Sequence, residues 1–243
     1  MKAVLCGANG AMGQLISGIL GDEVVGRVSL DGANGVARTF RELGRVEADV
    51  VIDFSHHSSI ADVLDYAKEI GAAAVIGTTG HTTEEKQMIF DAAQEIPVFY
   101  SGNMSLGIAL LCQLTRQTVA LFPEADVEIV EIHHNRKVDA PSGTAKLLLD
   151  AVVEAEPEAG YHPVYGREGM CGARDPKEIG MHSLRGGTVA GVHEVSFFGQ
   201  DEEVTLTHRA TSRQIFVNGA LAAAQKLVIR EPGFYTFDQV MFA

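Results

Sequence analysis

Residues 2–13 read KAVLCGANGAMG, and this stretch decides the fold of the first half of the chain. A short apolar run, Ala3 to Cys6, gives way to glycines at positions 7, 10 and 13, and a helical pattern follows from about Ala11 to Leu20. Glycines between a strand and a helix let a backbone approach a pyrophosphate closely, and the helix start offers N–H groups to its negative charge. The spacing alone is weak; its place between a first strand and a first helix gives it weight. A tight strand–helix turn without ligand is the plain alternative.

Outward from this loop the pattern repeats. EVVGRVSL (23–30) and DVVIDFS (49–55) are rich in Val and Ile and read as strands. In SSIADVLDYAKEIG (58–71), Ile60, Val63, Leu64 and Ala67 fall on one helical face. AAVIG reads as a strand, TTEEKQMIFDAAQEI as a helix capped by Thr82 or Thr83, and PVFYS as a strand. Strand alternating with helix over about a hundred residues implies a parallel sheet covered on both faces. Two more loops end strands of that sheet, GTTG (77–80) and SGNMS (101–105), at the end where ligands lie in open α/β sheets. Candidate readers of a dinucleotide ribose at the end of the second strand are Arg27, Ser29 and Asp31, none of them a clean match. Asp31 suits a free 2′-hydroxyl, and Arg27 or Arg38 a 2′-phosphate.

From about Met104 the grammar changes. MSLGIALLCQLTRQTVALF reads as a long helix, ADVEIVEIHH as a strand and SGTAKLLLDAVVEA as a helix. Residues 155–181, rich in Gly, Pro and charge, read as a long loop. HSLRGG, TVAGVHEVSFFG and EEVTLTHRA read as strands, the last two an antiparallel pair turned at 199–202, and SRQIFVNGALAAAQKLVI closes as a helix. A parallel α/β unit thus precedes a mixed one.

Within the second unit, EIHHNRKVDAPSGTA (131–145) concentrates positive potential in a chain of net charge −13. Adjacent strand residues point to opposite faces, so His133 and His134 should not share one job unless the strand ends between them. Lys137 follows in a loop. Pro141 suits a first helical turn, Ser142 or Thr144 can cap it, and the N–H groups of Gly143 and Thr144 would face an anion. Cations and a helix start around a small anionic ligand, with a histidine able to move a proton, make a reaction site. Arg136 reads as a solvated neighbour. His56, His57 and His81 read as surface or helix-start residues, and His162, His182, His193 and His208 carry no motif.

Composition narrows the classes further. With 243 residues, 46% of them hydrophobic, the chain has ample core for one large or two small domains. The acidic balance disfavours nucleic acid and anionic membranes as partners. The three scattered cysteines suggest neither a disulfide framework nor a zinc site, and no HExxH metal motif occurs, so no metal is expected. No apolar run approaches the roughly 20 residues of a membrane span, the first residues do not form a signal peptide, and the chain reads as cytoplasmic.

The signature EIHHNRKVDAPSGTA resembles that of the 4-hydroxy-tetrahydrodipicolinate reductase family, also called dihydrodipicolinate reductases. GANGAMG, VVIDFS, GTTG, SGNMSLG, HSLRGG, GVHEVSFFG and FVNGALAAA fall in the family's order nearly end to end. The resemblance implies an N-terminal Rossmann-like parallel sheet, residues 1–104 completed by 213–243, and an α+β substrate and oligomerisation domain, residues 105–212. It implies reduction of a small dicarboxylate heterocycle, on the diaminopimelate route to lysine, with NADH or NADPH. His133 and Lys137 would be the catalytic pair, and His134, Gly143 and Thr144 would bind substrate. Gly7, Ala8, Asn9, Gly10, Ala11, Met12, Gly77, Thr78, Thr79, Ser101, Gly102, Asn103 and Met104 would hold the dinucleotide. A homotetramer joined through the second domain's sheet is implied as well. Many members carry arginine where this chain has Ala11, and an acidic residue nearer Ser29. Another two-domain dehydrogenase or a nucleotide-sensing module would share the glycine loop without needing the His-His-x-x-Lys and Pro-Ser-Gly-Thr constellation.

Overall fold

The computed structural model describes residues 1–212 and 214–242. The chain divides into two compact units, Met1–Ser105 with Gln214–Ala243, and Leu106–Arg213.

The first unit is built on six parallel strands: β1 Ala3–Cys6, β2 Val24–Val28, β3 Val50–Asp53, β4 Ala73–Ile76, β5 Pro97–Tyr100 and β11 Gly233–Tyr235. Their order is β11-β5-β4-β3-β1-β2. β1, β3 and β4 are buried throughout, as expected of parallel strands with both faces covered. The helices of this unit are α1 Ala11–Leu20, α2 Phe40–Leu43, α3 Ile60–Ile70, α4 Thr83–Ala92, α7 Gln214–Leu227 and α8 Phe237–Met241. Ile60, Val63, Leu64 and Ala67 of α3 pack with Val4, Val51, Ala74 and Val98 on one face of the sheet. Val217, Ala220, Ala223, Ala224 and Leu227 of α7 pack with Ala3, Leu5, Ile52, Val75 and Phe99 on the other. Thr82 forms a capping box with Glu85 at the start of α4.

The second unit holds a five-stranded mixed sheet in the order β10-β9-β6-β8-β7. Its strands are β6 Asp126–His133, β7 His162–Val164, β8 Glu178–Arg185, β9 Gly191–Phe198 and β10 Glu203–Ala210, and its helices are α5 Leu106–Leu121 and α6 Gly143–Ala155. Val127, Ile129, Ile179, Met181, Val195 and Phe197 form the sheet side of the core under these helices.

The sequence reading misses several short elements. Residues 155–181 are not all loop, because a 3-10 turn at Pro157–Ala159 and the strand β7 lie within them. Pro163 stands inside β7, which the fold tolerates because β7 is an edge strand. After α7 the chain makes β11 and α8, adding a last strand beside β5. Three-residue strands carry too little pattern to be read. No helix among the described residues is long and apolar enough to cross a membrane.

Candidate active site

In the first unit three loops leave the carboxyl ends of β1, β4 and β5. The β1 loop is held by backbone hydrogen bonds, with Gly7 N and Ala8 N donating to Val28 O of β2 and Gly10 N donating to Gly7 O. Gly7 has φ +79, and a Cβ there would stand 2.2 Å from the Phe54 carbonyl oxygen. A Cβ at Gly13 would stand 2.4 Å from Gly7 O, so this glycine lets α1 close on the loop. Gly10 is exposed and forms the N-cap of α1 with no side-chain hydrogen bond, which leaves the capping of the helix start to other groups.

Asn9 ties the loop to the segment after β2, its Nδ2 donating to Asp31 Oδ1 at 2.6 Å. That hydrogen bond, with one from the Ala33 N–H, holds the Asp31 carboxyl below its ordinary range. Ala8 is buried, Ala11 exposed and Met12 half-buried against the core.

Phe54, which the sequence reading passes over, spaces the loops. Its carbonyl faces Gly7, and its ring lies where a Cβ at Gly77 would be, 2.2 Å away. Thr78 is buried and its Oγ1 accepts from Ser55 N at 2.8 Å. A Cβ at Gly102 would touch Thr79 Cγ2 at 3.4 Å, so the β4 and β5 loops lie side by side. Ser101 Oγ donates to Asn103 O, Asn103 Oδ1 accepts from Ser105 N, and Met104 is buried. The structure thus gathers the first-unit residues into three adjoining loops. His81 is not a surface residue. It is buried, its ring edge-on to Tyr100, and burial lowers its pKa.

In the second unit the site begins with strand alternation. Glu131 and His133 lie on the same face of β6 as Val127 and Ile129, toward α6, and His134 follows the strand. Register brings Arg185 of β8 beside His133, and His193 of β9 beside Glu131. His133 Nδ1 and Glu131 Oε2 are hydrogen-bonded at 2.5 Å. Arg185 donates to both Glu131 oxygens, at 2.9 and 2.8 Å, and Ser142 N donates to Oε1 at 3.1 Å. Burial pushes the Glu131 carboxyl up, but Arg185, His133, Ser183 and the Ser142 N–H outweigh it and hold the pKa at about 2. Glu131 therefore stays ionised although only 1% exposed.

The turn after the strand is pinned to the β8–β9 connection, with His134 N donating to Val189 O and Gly186 N to His133 O. Lys137 Nζ donates to both oxygens of Asp139 at 2.7 and 2.9 Å, an exposed pair. Lys137 lowers the Asp139 pKa. Ser142 caps α6, its Oγ accepting from Ala145 N, and Gly143 and Thr144 form the helix's first two positions. The same Oγ lies 3.0 Å from His193 Nε2. His193 is pushed down to about 4 by burial and then by the neighbouring His133, whose ring it meets edge-on at 5.2 Å.

Sequence reasoning names His133, His134, Lys137, Gly143 and Thr144 and passes over Glu131, Arg185 and His193, which the structure places around His133. For Glu131 a signal exists, two-residue alternation within EIHH. Arg185 and His193 depend on strand register, which no local pattern carries. Cys6 and Cys112 are buried.

A parallel sheet with a glycine-rich first crossover, followed by a mixed-sheet unit bearing a histidine–lysine turn, defines the class: a two-unit α/β protein of dehydrogenase architecture. A structure of an amine dehydrogenase from Mycobacterium smegmatis shares this fold at a TM-score of 0.60 and 14% identity, over 98% of this chain and 95% of that one. A dipicolinate-bound dihydrodipicolinate reductase from Paenisporosarcina shares it at a TM-score of 0.76 and 22% identity, over 100% and 99%. Family models settle the particular family: the dihydrodipicolinate reductase N-terminus matches residues 1–104 and the C-terminus residues 107–241. The chain belongs to the dihydrodipicolinate reductase family. It is similar to proteins named 4-hydroxy-tetrahydrodipicolinate reductase, at 40% identity in Caldanaerobacter subterraneus (99% of this chain, 98% of the relative) and 41% in Staphylococcus aureus (99% and 100%).

Proposed function

We infer that this protein is an oxidoreductase that reduces 4-hydroxy-tetrahydrodipicolinate to tetrahydrodipicolinate, in the diaminopimelate route to lysine. Near-full-length relatives carry that name. The observation that carries the reading to residues is the turn from His133 to Thr144, which joins a proton carrier, a cation and a helix start.

The cofactor of this reading is a nicotinamide dinucleotide, whose reduced ring supplies hydride when bound. The first-unit loops fit it. Gly7 and Gly13 leave no room for side chains beneath the loop, exposed Gly10 keeps the helix start bare, and Asp31 stands held by Asn9 at the end of β2. Gly7 to Met12, Gly77 to Thr79 and Ser101 to Met104 would line it. Asp31 suits a free ribose 2′-hydroxyl. Arg38 folds toward Gly32, its Nε 2.6 Å from where a Cβ would be, and suits a 2′-phosphate. The pair supports use of both NADH and NADPH.

In the second unit Lys137 would exchange Asp139 for a substrate carboxylate, while His134, Gly143 and Thr144 would take a carboxylate at the start of α6. His133 would move the proton. The Paenisporosarcina protein that shares the fold is bound to dipicolinate, a planar dicarboxylate of the kind this turn would hold. Self-association as a homotetramer belongs to the same reading. Val130, Ile132, Leu184 and Phe198 share the sheet face away from α5 and α6, with Leu184 47% and Phe198 40% exposed, and support it.

Loss of the reduced-nicotinamide absorbance in the presence of 4-hydroxy-tetrahydrodipicolinate tests the reading, and turnover dependent on that substrate is expected. Gly10→Val is expected to weaken binding of both dinucleotides with the fold intact. No turnover with either dinucleotide would sink the assignment.

A further inference from the structure

Glu131 is buried, charged and assigned no role by the reading above. Arg185 Nη1 donates to its Oε2, Ser142 N and Arg185 Nη2 donate to its Oε1, the Ser183 side chain hydrogen-bonds it as well, and His133 Nδ1 lies 2.5 Å from Oε2. An ionised carboxylate only accepts, a guanidinium only donates, and a backbone N–H only donates. The proton between Glu131 and His133 therefore belongs to Nδ1.

We infer that Glu131 is a positioning residue: held in place by Arg185, it fixes the Nδ1–H tautomer of His133 and leaves Nε2 as the ring atom that exchanges the proton. The inference rests on the reading of His133 as proton carrier. In the imidazolium both nitrogens are protonated; giving up the Nε2 proton leaves the Nδ1–H tautomer that Glu131 already holds. No ring flip and no change of partner accompany the transfer, and a later proton from solvent restores the imidazolium.

Two neighbours agree with this assignment. Position 191 is glycine, and a Cβ there would stand 3.2 Å from His133 Nε2, so the side of the ring assigned to proton exchange is kept clear. His193 is tied to Ser142 Oγ rather than to His133, and its low pKa keeps a second positive charge away from the pair. Arg185 also donates to Asp139 O at 2.8 Å, so one guanidinium joins Glu131 to the loop that carries Lys137.

Glu131→Gln tests the inference because its outcome is dictated by donor counting. The new amide NH2 must face either Ser142 N with Arg185 Nη2, or His133 Nδ1 with Arg185 Nη1. The first choice sets it against two fixed donors. The second sets it against one, because His133 can change tautomer and accept. The variant should therefore move the proton of the neutral ring to Nε2. Nitrogen NMR of protein labelled at histidine, at about pH 9 where imidazoles are ordinarily neutral, reads the tautomer; His133→Gln identifies the signals. The wild type is expected to carry Nδ1–H and Glu131→Gln to carry Nε2–H. A wrong tautomer next to a proton-transfer site costs about 10²–10⁴-fold in kcat. That loss is expected with dinucleotide affinity unchanged. Glu131→Asp keeps an acceptor-only carboxylate and should retain the wild-type tautomer and recover activity relative to Gln.

An Nε2–H tautomer in the wild type would overturn the inference whether or not any variant folds. So would a Gln variant that changes tautomer and keeps full kcat, or one that loses kcat while keeping Nδ1–H. Absence of turnover by the wild type itself would instead refute the functional reading and leave the tautomer result standing.

Discussion

The connections β1–α1 and β6–α6 both lead from a strand into a helix, and they are made of different materials. The first takes four residues, 7–10, and is shaped by what is missing: glycines without side chains, a helix start without a side-chain cap, backbone bonded to backbone. The second takes nine, 134–142, and is shaped by charge, with one buried carboxylate gathering backbone and side-chain donors and a serine capping the helix. A loop meant to meet a long anion along its backbone needs proximity, which side chains obstruct. A turn meant to move a proton needs a fixed ring and a fixed charge, which only side chains supply. Substitutions should therefore fail for steric reasons in the first connection and for electrostatic reasons in the second.

The largest effect should come from His133→Gln, with kcat about 10²–10⁴-fold lower and dinucleotide affinity, measured by titration, unaltered. Unchanged kcat would remove the proton carrier from the second connection.

Arg185→Met should come next, because it strands a buried carboxylate. Breaking such a pair costs about 3–5 kcal/mol of stability, read as a lower urea midpoint. The pH dependence has a definite sign. Glu131 is depressed in the folded protein, from an ordinary 4.5 to about 2. Its contribution is present above the unfolded value and disappears as pH falls through the folded one. Over that window of about 2.5 units it amounts to roughly 3 kcal/mol at ~1.36 kcal/mol per unit. Urea unfolding between about pH 5 and 2 should show that slope in the wild type, and Arg185→Met should flatten it. An unaltered slope would mean that Arg185 does not hold the carboxylate down.

Lys137→Ala is the third test. Pyridine-2,6-dicarboxylate should compete with substrate better than a monocarboxylate analogue, because one charge-assisted hydrogen bond contributes about 1.5–3 kcal/mol. Removing the lysine should erase much of that difference. Inhibition constants for both analogues against both proteins form the cycle, and equal losses would show that Lys137 does not read the second carboxylate.

The smallest effect separates two glycines at corresponding places. At Gly7 a side chain meets Phe54 O and a positive φ, whereas at Gly143 a Cβ meets nothing within 4 Å. Gly143→Ala should leave the melting temperature unchanged or raise stability by about 0.4–1 kcal/mol, while Gly7→Ala should lower it clearly. Similar melting temperatures for the two variants would break the steric half of the contrast.

Much of the first connection is legible in the sequence because its cause is local. Glycines beside an apolar run, and Val/Ile runs alternating with helical spacing, report a parallel sheet buried on both faces. The second connection is legible in its own residues and opaque in its partners. Arg185 and His193 reach Glu131 only through the pairing of β6 with β8 and β9, more than fifty residues away in sequence. Phe54 has the same character: its role as a spacer depends on β3 lying between β1 and β4. Burial of His81 likewise comes from the Tyr100 ring on another strand.

The return of the chain to its first unit at Gln214 has a consequence for how the protein is born. Five of the six strands of the first sheet leave the ribosome early, yet the face that Val217, Ala220, Ala223 and Ala224 will cover is bare until the whole of 106–213 has been made. At about 5–20 residues per second that interval lasts roughly 5–20 s. During it Leu5, Ile52, Val75 and Phe99 on that face lack their α7 covering, and β5 lacks β11 on its outer edge. The second unit, contiguous in sequence, is the one able to finish folding first, so the order of completion runs opposite to the order of synthesis.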